Sequence, residues 1–301
     1  MTELTLTGLR VCQEIAHLGS FSAAARALGY SQPAISRQVA AMEAAAGHAL
    51  FARHAGGVHV TAAGAVVAEH AARILGGIDA LTRDLSGLGD RLGGRVGLGA
   101  FPTAAAALVP AALARLAREH PGLAVSLTEA ATPALLRDLR AGRVDVAVIG
   151  AGAGLSEYDL DGLSRRRLDA GDLCVALPAE HRLAAADPVA VGDLAVQPWI
   201  VGTGAPGDPQ FGAWPTLTDP VVRYRVRDWP ARLGLVAAGL GVCVLPELAA
   251  PSVPAGVVTR RVDDPNWLGR VTLALTHPGP SAPVAAVVDA LGAAARDVRP
   301  G

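Results

Sequence analysis

The sequence predicts an α/β chain in two parts. A compact helical head ends in a β-hairpin and a long helix, and a larger body of alternating strands and helices follows as two lobes. Three observations carry this prediction. Residues 6–64 place apolar side chains at three- and four-residue spacing, a helical pattern without proline runs on to about Leu88, and short apolar strands then alternate with helices. With 301 residues, 51% of them hydrophobic and 18% charged, at a formal net charge of -1, the chain has length for about two domains and is far from the composition of disordered proteins.

In the head, Leu6, Leu9, Cys12 or Gln13, and Ala16 mark a first helix that stops at Gly19-Ser20. Ser22 is the expected cap of a second helix over 23–28, with Gly29 and Tyr30 as the turn. Ser31 caps a third helix with Pro33 in its first turn, where a missing N–H costs nothing. Ile35, Val39, Met42 and Ala46 form one apolar stripe on that helix, which leaves Gln32, Ser36, Arg37 and Gln38 facing out. Residues 50–53, the turn His54–Gly57 and the alternating Val58-His59-Val60 read as a wing-like hairpin. The long helix carries Val67, Ala71, Ile74, Ile78, Leu81, Leu85 and Leu88 at the 3.5-residue repeat of a coiled-coil seam, interrupted by Gly76-Gly77. That seam fits either a second copy of the chain or the chain's own body. Gly93-Gly94 is the expected boundary.

Beyond it, residues 96–100, a helix over 103–119, strand 123–129, a helix over 132–141 and strand 145–149 give βαβαβ and a parallel sheet. A second such region has strands near 173–177, 199–202 and 221–227, a helix at 230–238 and a buried strand at 241–245; strand 271–276 and helix 284–296 return to the first sheet. Two lobes crossed by two strands leave a cleft at their hinge.

A helix that buries one stripe and presents Gln, Ser and Arg from its first turns has the shape needed to enter a DNA major groove, where amide and guanidinium groups meet base edges. An ordinary helical hairpin with a solvated face has the same spacing, and charge does not choose between them: residues 1–61 carry four Arg against three Glu. All 26 residues in the Lys+Arg count are Arg. Arg165-Arg166-Arg167 reads as a solvated strand rather than a second nucleic-acid site. Cys12, Cys174 and Cys243 each lie in an apolar run, without a metal-ligand spacing, so no metal site is expected and a reduced compartment fits. No GxSxG, Walker A or HExxH occurs, and Gly239-Leu240-Gly241 lacks the rest of a dinucleotide fingerprint, so neither a catalytic residue nor a cofactor is expected. The amino terminus lacks the layout of an export signal and no apolar run reaches membrane-spanning length, which makes the expected location cytoplasmic, without a membrane partner.

The stretch GSFSAAARALGYSQPAISRQVAAMEAAAGHALFARHAGGVHVTAAG closely resembles the amino-terminal signature of LysR-type transcriptional regulators. LVPAALARLAREHPGLAVSL, LLRDLRAGRVDVAVIG and LVAAGLGVCVLPE extend the resemblance more loosely over nearly the whole chain. It implies a winged helix-turn-helix at 1–61, a linker and dimerisation helix at 62–92, and a two-lobed effector-binding domain similar to periplasmic binding proteins at 93–301. Lobe I would take 95–163 and 266–301, and lobe II 164–265. The implied partners are double-stranded promoter DNA, a small-molecule effector such as a carboxylate, further copies of the chain as a homodimer or homotetramer, and RNA polymerase in an activator. By position, Ser31, Gln32, Pro33, Ser36, Arg37 and Gln38 with Arg53 on the wing would face DNA, Pro33 shaping the helix start. Effector contacts would fall at Phe101, Thr103, Thr132, Gly202 and Thr203, with each Thr where a helix could begin; Trp229 either lines the pocket or plugs the core. The loop 203–215, rich in Gly and Pro with Phe211 and Trp214 inside it, departs from the family pattern. The competing expectation is a bilobal small-molecule-binding protein or enzyme that uses its amino-terminal helices only for assembly.

Overall fold

The computed structural model describes residues 3–54, 57–86, 92–203 and 212–298. In chain order the elements are α1 Leu6–Leu18, α2 Phe21–Leu28, α3 Gln32–Ala46, β1 Phe51–His54, β2 Gly57–Val60, α4 Ala62–Ser86, β3 Gly93–Ala100, α5 Pro102–Ala107, α6 Val109–Glu119, β4 Gly122–Glu129, α7 Thr132–Arg140, β5 Val146–Gly152, β6 Ser164–Leu168, β7 Leu173–Pro178, β8 Val189–Ala190, α8 Val191–Leu194, β9 Trp199–Gly202, β10 Val222–Val226, α9 Trp229–Ala237, β11 Cys243–Pro246, β12 Val257–Arg260, β13 Val262–Asp263, β14 Arg270–Thr276 and α10 Ala282–Val298. They group into two compact units, one built on α1 to α4 and one on β3 onward.

In the head, α1 to α3 close over Cys12, Ile15, Ile35 and Met42, with Leu50 and Phe51 from the base of the hairpin. The cap of α2 differs from expectation. Ser20, not Ser22, accepts from Ala23 N at 3.3 Å, because Phe21 is a core residue that sets its ring edge-on to Phe51 and so draws the first turn back. Gly29 ends α2 at φ 70, and its N–H donates to the carbonyls of Ala25 and Arg26. Thr61 leads into α4, accepting from Gly64 N at 3.0 Å while donating to the Ala49 carbonyl at 2.7 Å.

The seam expected on α4 divides into two rows. Ala71 and Leu75 are buried in the head's core with Val67 against them, four-residue steps that keep one face of a straight 3.6-residue helix on α1. Ile74 and Leu81, at 44% and 58% exposure, form a separate outer row seven residues apart. The side chain of Leu85 and the whole of Leu88 lie outside the described residues.

The second unit is organised by a five-stranded sheet in the order β4-β3-β5-β14-β6. Strand β3 runs parallel to β4 and β5, and β14 runs antiparallel to both β5 and β6. Gly93 and Gly94 open β3, opposite Gly122 and Leu123, so the expected boundary glycines are already part of the sheet. The single helix expected over 103–119 breaks at Leu108, since Pro110 supplies no N–H and its ring crowds the carbonyl four residues earlier. Val96, Leu98, Val146 and Val148 pack under Leu108, Leu116, Val287 and Leu291, so α6 and α10 cover one face.

Two expectations for the second lobe need correction. Strand β6, with Arg165-Arg166-Arg167, pairs with β14 at the edge of the first sheet, so residues from 164 do not yet belong to lobe II. Buried Leu168 anchors that edge, while Arg166 pairs with Asp289 of α10. The lobe also is not a parallel repeat. Strand β7 lies between β11 and β12, antiparallel to both, and parallel pairing is confined to the short pairs β9 with β10 and β8 with β13 and a bridge between Trp199 and Val242. A continuous apolar run marks a buried strand but carries no record of its direction.

Candidate nucleic-acid interface and ligand cavity

Three locks fix α3 in the head. Its buried stripe of Ile35, Val39 and Met42 sits in the core, Ser31 accepts from Ala34 N at 3.4 Å, and Pro33 presets the first turn. Ser31, Gln32, Pro33 and Arg37 are exposed, with Ser36 and Gln38 half-buried beside them. Together they form a polar patch over the first two turns. Tyr30 is exposed just ahead of the cap. Arg53 stands on β1 opposite Val58, and its side chain lies outside the described residues.

One fixing contact escaped the sequence reading. Glu43, on the last turns of α3, accepts from Leu50 N at 2.8 Å and from Phe51 N at 3.3 Å. It ties the exposed helix to the first strand of the wing. Its partners lie seven and eight residues away, across a turn, where no periodicity announces them.

In the second unit a cavity of about 950 Å³ opens between the two lobes. Phe101, Thr103 and Thr132 line it from the first lobe, and Thr203, Trp229 and Arg232 from the second. Gly202 does not line it; its place is in β9, paired with Val226. Residues 204–211, including Phe211, lie outside the described residues. Trp214 is not a cavity wall. It is buried in the lobe's core, donating from Nε1 to Asp264 Oδ2 at 2.7 Å, and the Thr216 hydroxyl donates to the same oxygen at 2.5 Å.

The threonines do not act as helix caps in the expected way. Phe101 is the cap residue of α5, which leaves Thr103 inside the first turn. Its Oγ1 is buried without a hydrogen-bond partner among the described residues. Thr132 is the first helical residue of α7, after Ala131, whose carbonyl accepts from Leu135 N. Thr203 is exposed and holds β10 through its N–H, which donates to the Val226 carbonyl at 3.1 Å.

The most informative cavity residue is one the sequence reading did not select. Arg232, on α9, is 3% exposed, and its guanidinium lies 4.1 Å from the centroid of the Trp229 ring. Its Nε and Nη1 have no hydrogen-bond partner among the described residues. Burial pulls its pKa below the ordinary arginine value, opposed in part by the neighbouring Cys243. The available signal was the i, i+3 spacing of Trp229 and Arg232 on one helical face.

The half-buried charges near the cavity are already engaged. Asp172 accepts from Leu173 N at 2.7 Å, Arg270 N at 2.9 Å and Trp267 Nε1 at 3.0 Å, and Glu247 accepts from Asp172 N at 3.0 Å. The Arg270 side chain donates to the Ala153 carbonyl at 2.8 Å. These contacts clamp the two chain crossings between the lobes. Gly171 sits there at φ 77, and any side chain at this position would run into Glu247. All three cysteines are buried. Burial, followed by Glu43, pushes Cys12 up to about 12; burial pushes Cys243 up to about 12 although Arg232 opposes it, and raises Cys174 as well. Among the described residues no cluster of His, Cys, Asp and Glu has the makings of a metal site, and no helix is long and apolar enough to cross a membrane.

A winged helix-turn-helix in the head and a bilobed, cavity-bearing body define a ligand-responsive DNA-binding protein. Residues 6–65 match the model of the bacterial regulatory helix-turn-helix protein, lysR family, and residues 89–296 match the LysR substrate binding domain. The chain belongs to the LysR family and is a LysR-type transcriptional regulator. A probable hydrogen peroxide-inducible genes activator from Mycobacterium avium is 35% identical over 65% of this chain and 62% of its own length, so that match spans less than two thirds of the relative. The small neutral protease regulatory protein of Streptomyces coelicolor is 33% identical over 98% of this chain and 89% of its own. Among solved structures, a full-length OxyR cysteine-to-aspartate variant from Pseudomonas aeruginosa shares the fold at a TM-score of 0.71, with 22% identity over 98% of this chain and 95% of that one. Nothing in these relatives favours an enzyme, or a head used only for assembly.

Proposed function

We propose that this regulator binds promoter DNA in the cytoplasm as a homodimer or homotetramer, and that a small anion such as a carboxylate, held in the interlobe cavity, changes how the bound subunits are spaced. The observation that carries the DNA-reading part is the locked helix α3, with Ile35, Val39 and Met42 buried and Gln32 and Arg37 left in water. Amide and guanidinium groups so placed suit base edges, while Ser31 and Ser36 suit phosphates and Arg53 the flanking backbone. The outer row of Ile74 and Leu81 on α4 supports pairing with a second copy. An effector that binds one lobe arrangement better than another shifts the population and, through subunit geometry, the bend or spacing of the operator. If the result is activation, RNA polymerase is the further partner.

Peroxide sensing through a thiolate is not supported, despite the name of the Mycobacterium avium relative. Cys12, Cys174 and Cys243 are buried with raised pKa values, whereas a reactive cysteine needs exposure and a lowered one.

The test is binding to the promoter beside the protein's own gene across a salt series. Log affinity is expected to fall linearly with log salt. The double variant Ser36→Ala, Arg37→Ala is expected to weaken the specific complex by about 10- to 100-fold, the loss of a base contact worth about 1–3 kcal/mol plus a phosphate contact. Undiminished affinity in that variant would remove α3 as the reading element.

A further inference from the structure

We infer that Arg232, stacked on Trp229 and lining the same cavity as Thr103, is the residue that selects the effector's charge, and that the effector is an organic monoanion with an apolar body. The inference rests on the cavity being the effector site and names the ligand class that site accepts.

A guanidinium removed from water normally retains its hydrogen bonds to a carboxylate or to carbonyl oxygens, because an unpaired buried charge is among the costliest arrangements in a protein. Arg232 departs from this at 3% exposure, with Nε and Nη1 both unpartnered among the described residues. Thr103, which lines the same cavity from the first lobe at 6% exposure, has an equally unpartnered hydroxyl. Two buried donors without acceptors, on opposite lobes and lining one cavity, are complementary to an acceptor that is absent from the described residues. A carboxylate oxygen is the acceptor to which a guanidinium N–H donates most strongly.

The described residues do not supply that anion. Among the carboxylates lining the cavity, Asp172 is consumed by Leu173 N, Arg270 N and Trp267 Nε1, while Glu129 and Asp228 are solvent-exposed. Arg270, the other arginine at the crossings, already donates to Ala153 O. Arg227 also lines the cavity but stands in water, so one buried guanidinium is left to be matched, which favours a ligand with a single negative charge. Phe101, Leu155 and Leu233 give the remaining wall an apolar character, which calls for an apolar body behind the charged head. The Trp229 ring packs against the guanidinium, so the charge is positioned before any ligand arrives. Nothing in the helical stretch 229–237 beyond the Trp-Arg spacing marks this arginine as different from a surface one.

The test uses the full chain and two probe series of matched shape, the straight-chain carboxylates from butanoate to decanoate and the corresponding primary amides. Calorimetric titration and thermal shift are expected to detect the carboxylates, with affinity rising along the series, and to show the amides at least about 10-fold weaker, the loss of one charge-assisted contact. Arg232→Met is expected to abolish the difference between acid and amide, Arg232→Lys to retain the preference at reduced affinity, and Thr103→Val to weaken the acid several-fold. Arg232→Met is also expected to melt no lower than the parent without ligand, because it relieves an unpaired charge. If it does not fold, the Arg232→Lys and Thr103→Val titrations decide. Equal binding of acids and amides would overturn the charge assignment while leaving the cavity as a ligand site. Binding of neither series would overturn the ligand class, and the promoter assay tests DNA reading independently of both. Retention of the full acid preference in Arg232→Met would show that another residue selects the charge.

Discussion

On α3 the side chains offered for contact stand in water, Gln32 and Arg37 exposed over a buried stripe; in the body Arg232 and Thr103 are kept out of water with donors unmatched. The difference corresponds to what each site must recognise. A DNA surface is large and brings a dense row of charge, so a reading helix loses little by remaining hydrated until contact. A small ligand offers one or two acceptors, and discrimination comes from donors that stay unsatisfied unless the right molecule fills the site. The head therefore places its stability beneath the site, in the Ile35, Val39 and Met42 stripe, whereas the body gives up some stability at the site itself.

The largest effect expected from this contrast comes from beneath α3. Ile35 is fully buried, and Ile35→Ala is expected to destabilise the head by about 2–4 kcal/mol, combining lost transfer energy with the cavity left behind. Chemical denaturation followed by helical circular dichroism should show an early transition, and promoter binding should fall with it. Carboxylate titration should be unchanged. Loss of promoter binding at unchanged stability would mean that Ile35 touches DNA, and the division into a buried row and a reading row would fail.

A smaller effect is expected at Glu43, which links α3 to the wing. Glu43→Ala leaves the amides of Leu50 and Phe51 without their acceptor, at a cost of about 1–2 kcal/mol, while Glu43→Gln retains an acceptor and most of the stability. Promoter affinity in Glu43→Ala should drop several-fold more than the stability loss explains, because the wing is no longer fixed to the helix. Equal affinity in the alanine and glutamine variants would show that the wing does not contribute to reading.

Local signals carried much of this architecture. The 35, 39, 42 stripe, the Ser31 cap with Pro33, the hairpin at 51–60 and the strands of the first sheet all follow from spacing and turn chemistry within a few residues. The helix break at Leu108 is also locally encoded, in Pro110, although the apolar spacing runs on through it. What spacing does not contain is direction and pairing at a distance. The antiparallel setting of β7 between β11 and β12, the placement of β6 beside β14 and the clamp on Asp172 all join segments tens of residues apart. The candidate site shows the same limit. Phe101, Thr103, Thr132, Thr203 and Trp229 gather around one cavity, but Arg232 stands out only once its burial and missing partners are visible.

The smallest effect concerns a carboxylate treated in the opposite way to Arg232. Burial alone would raise the pKa of Asp264, but hydrogen bonds from the Thr216 hydroxyl, Trp214 Nε1 and Asn266 N outweigh it and hold the group below its ordinary value. Because the folded state favours the ionised form, the unfolded chain binds the proton more tightly. This contribution is complete above the unfolded-state value near pH 4 and is lost as pH falls through the lower folded one. Urea midpoints followed by tryptophan fluorescence from pH 5 down to pH 3 should therefore decline in the parent and decline less in Asp264→Asn, whose amide oxygen still accepts from Trp214. An identical slope in both proteins would mean that the ionised state of Asp264 adds nothing to the lobe. The contrast with Arg232 would then reduce to whether a buried polar group has a partner, independent of its charge.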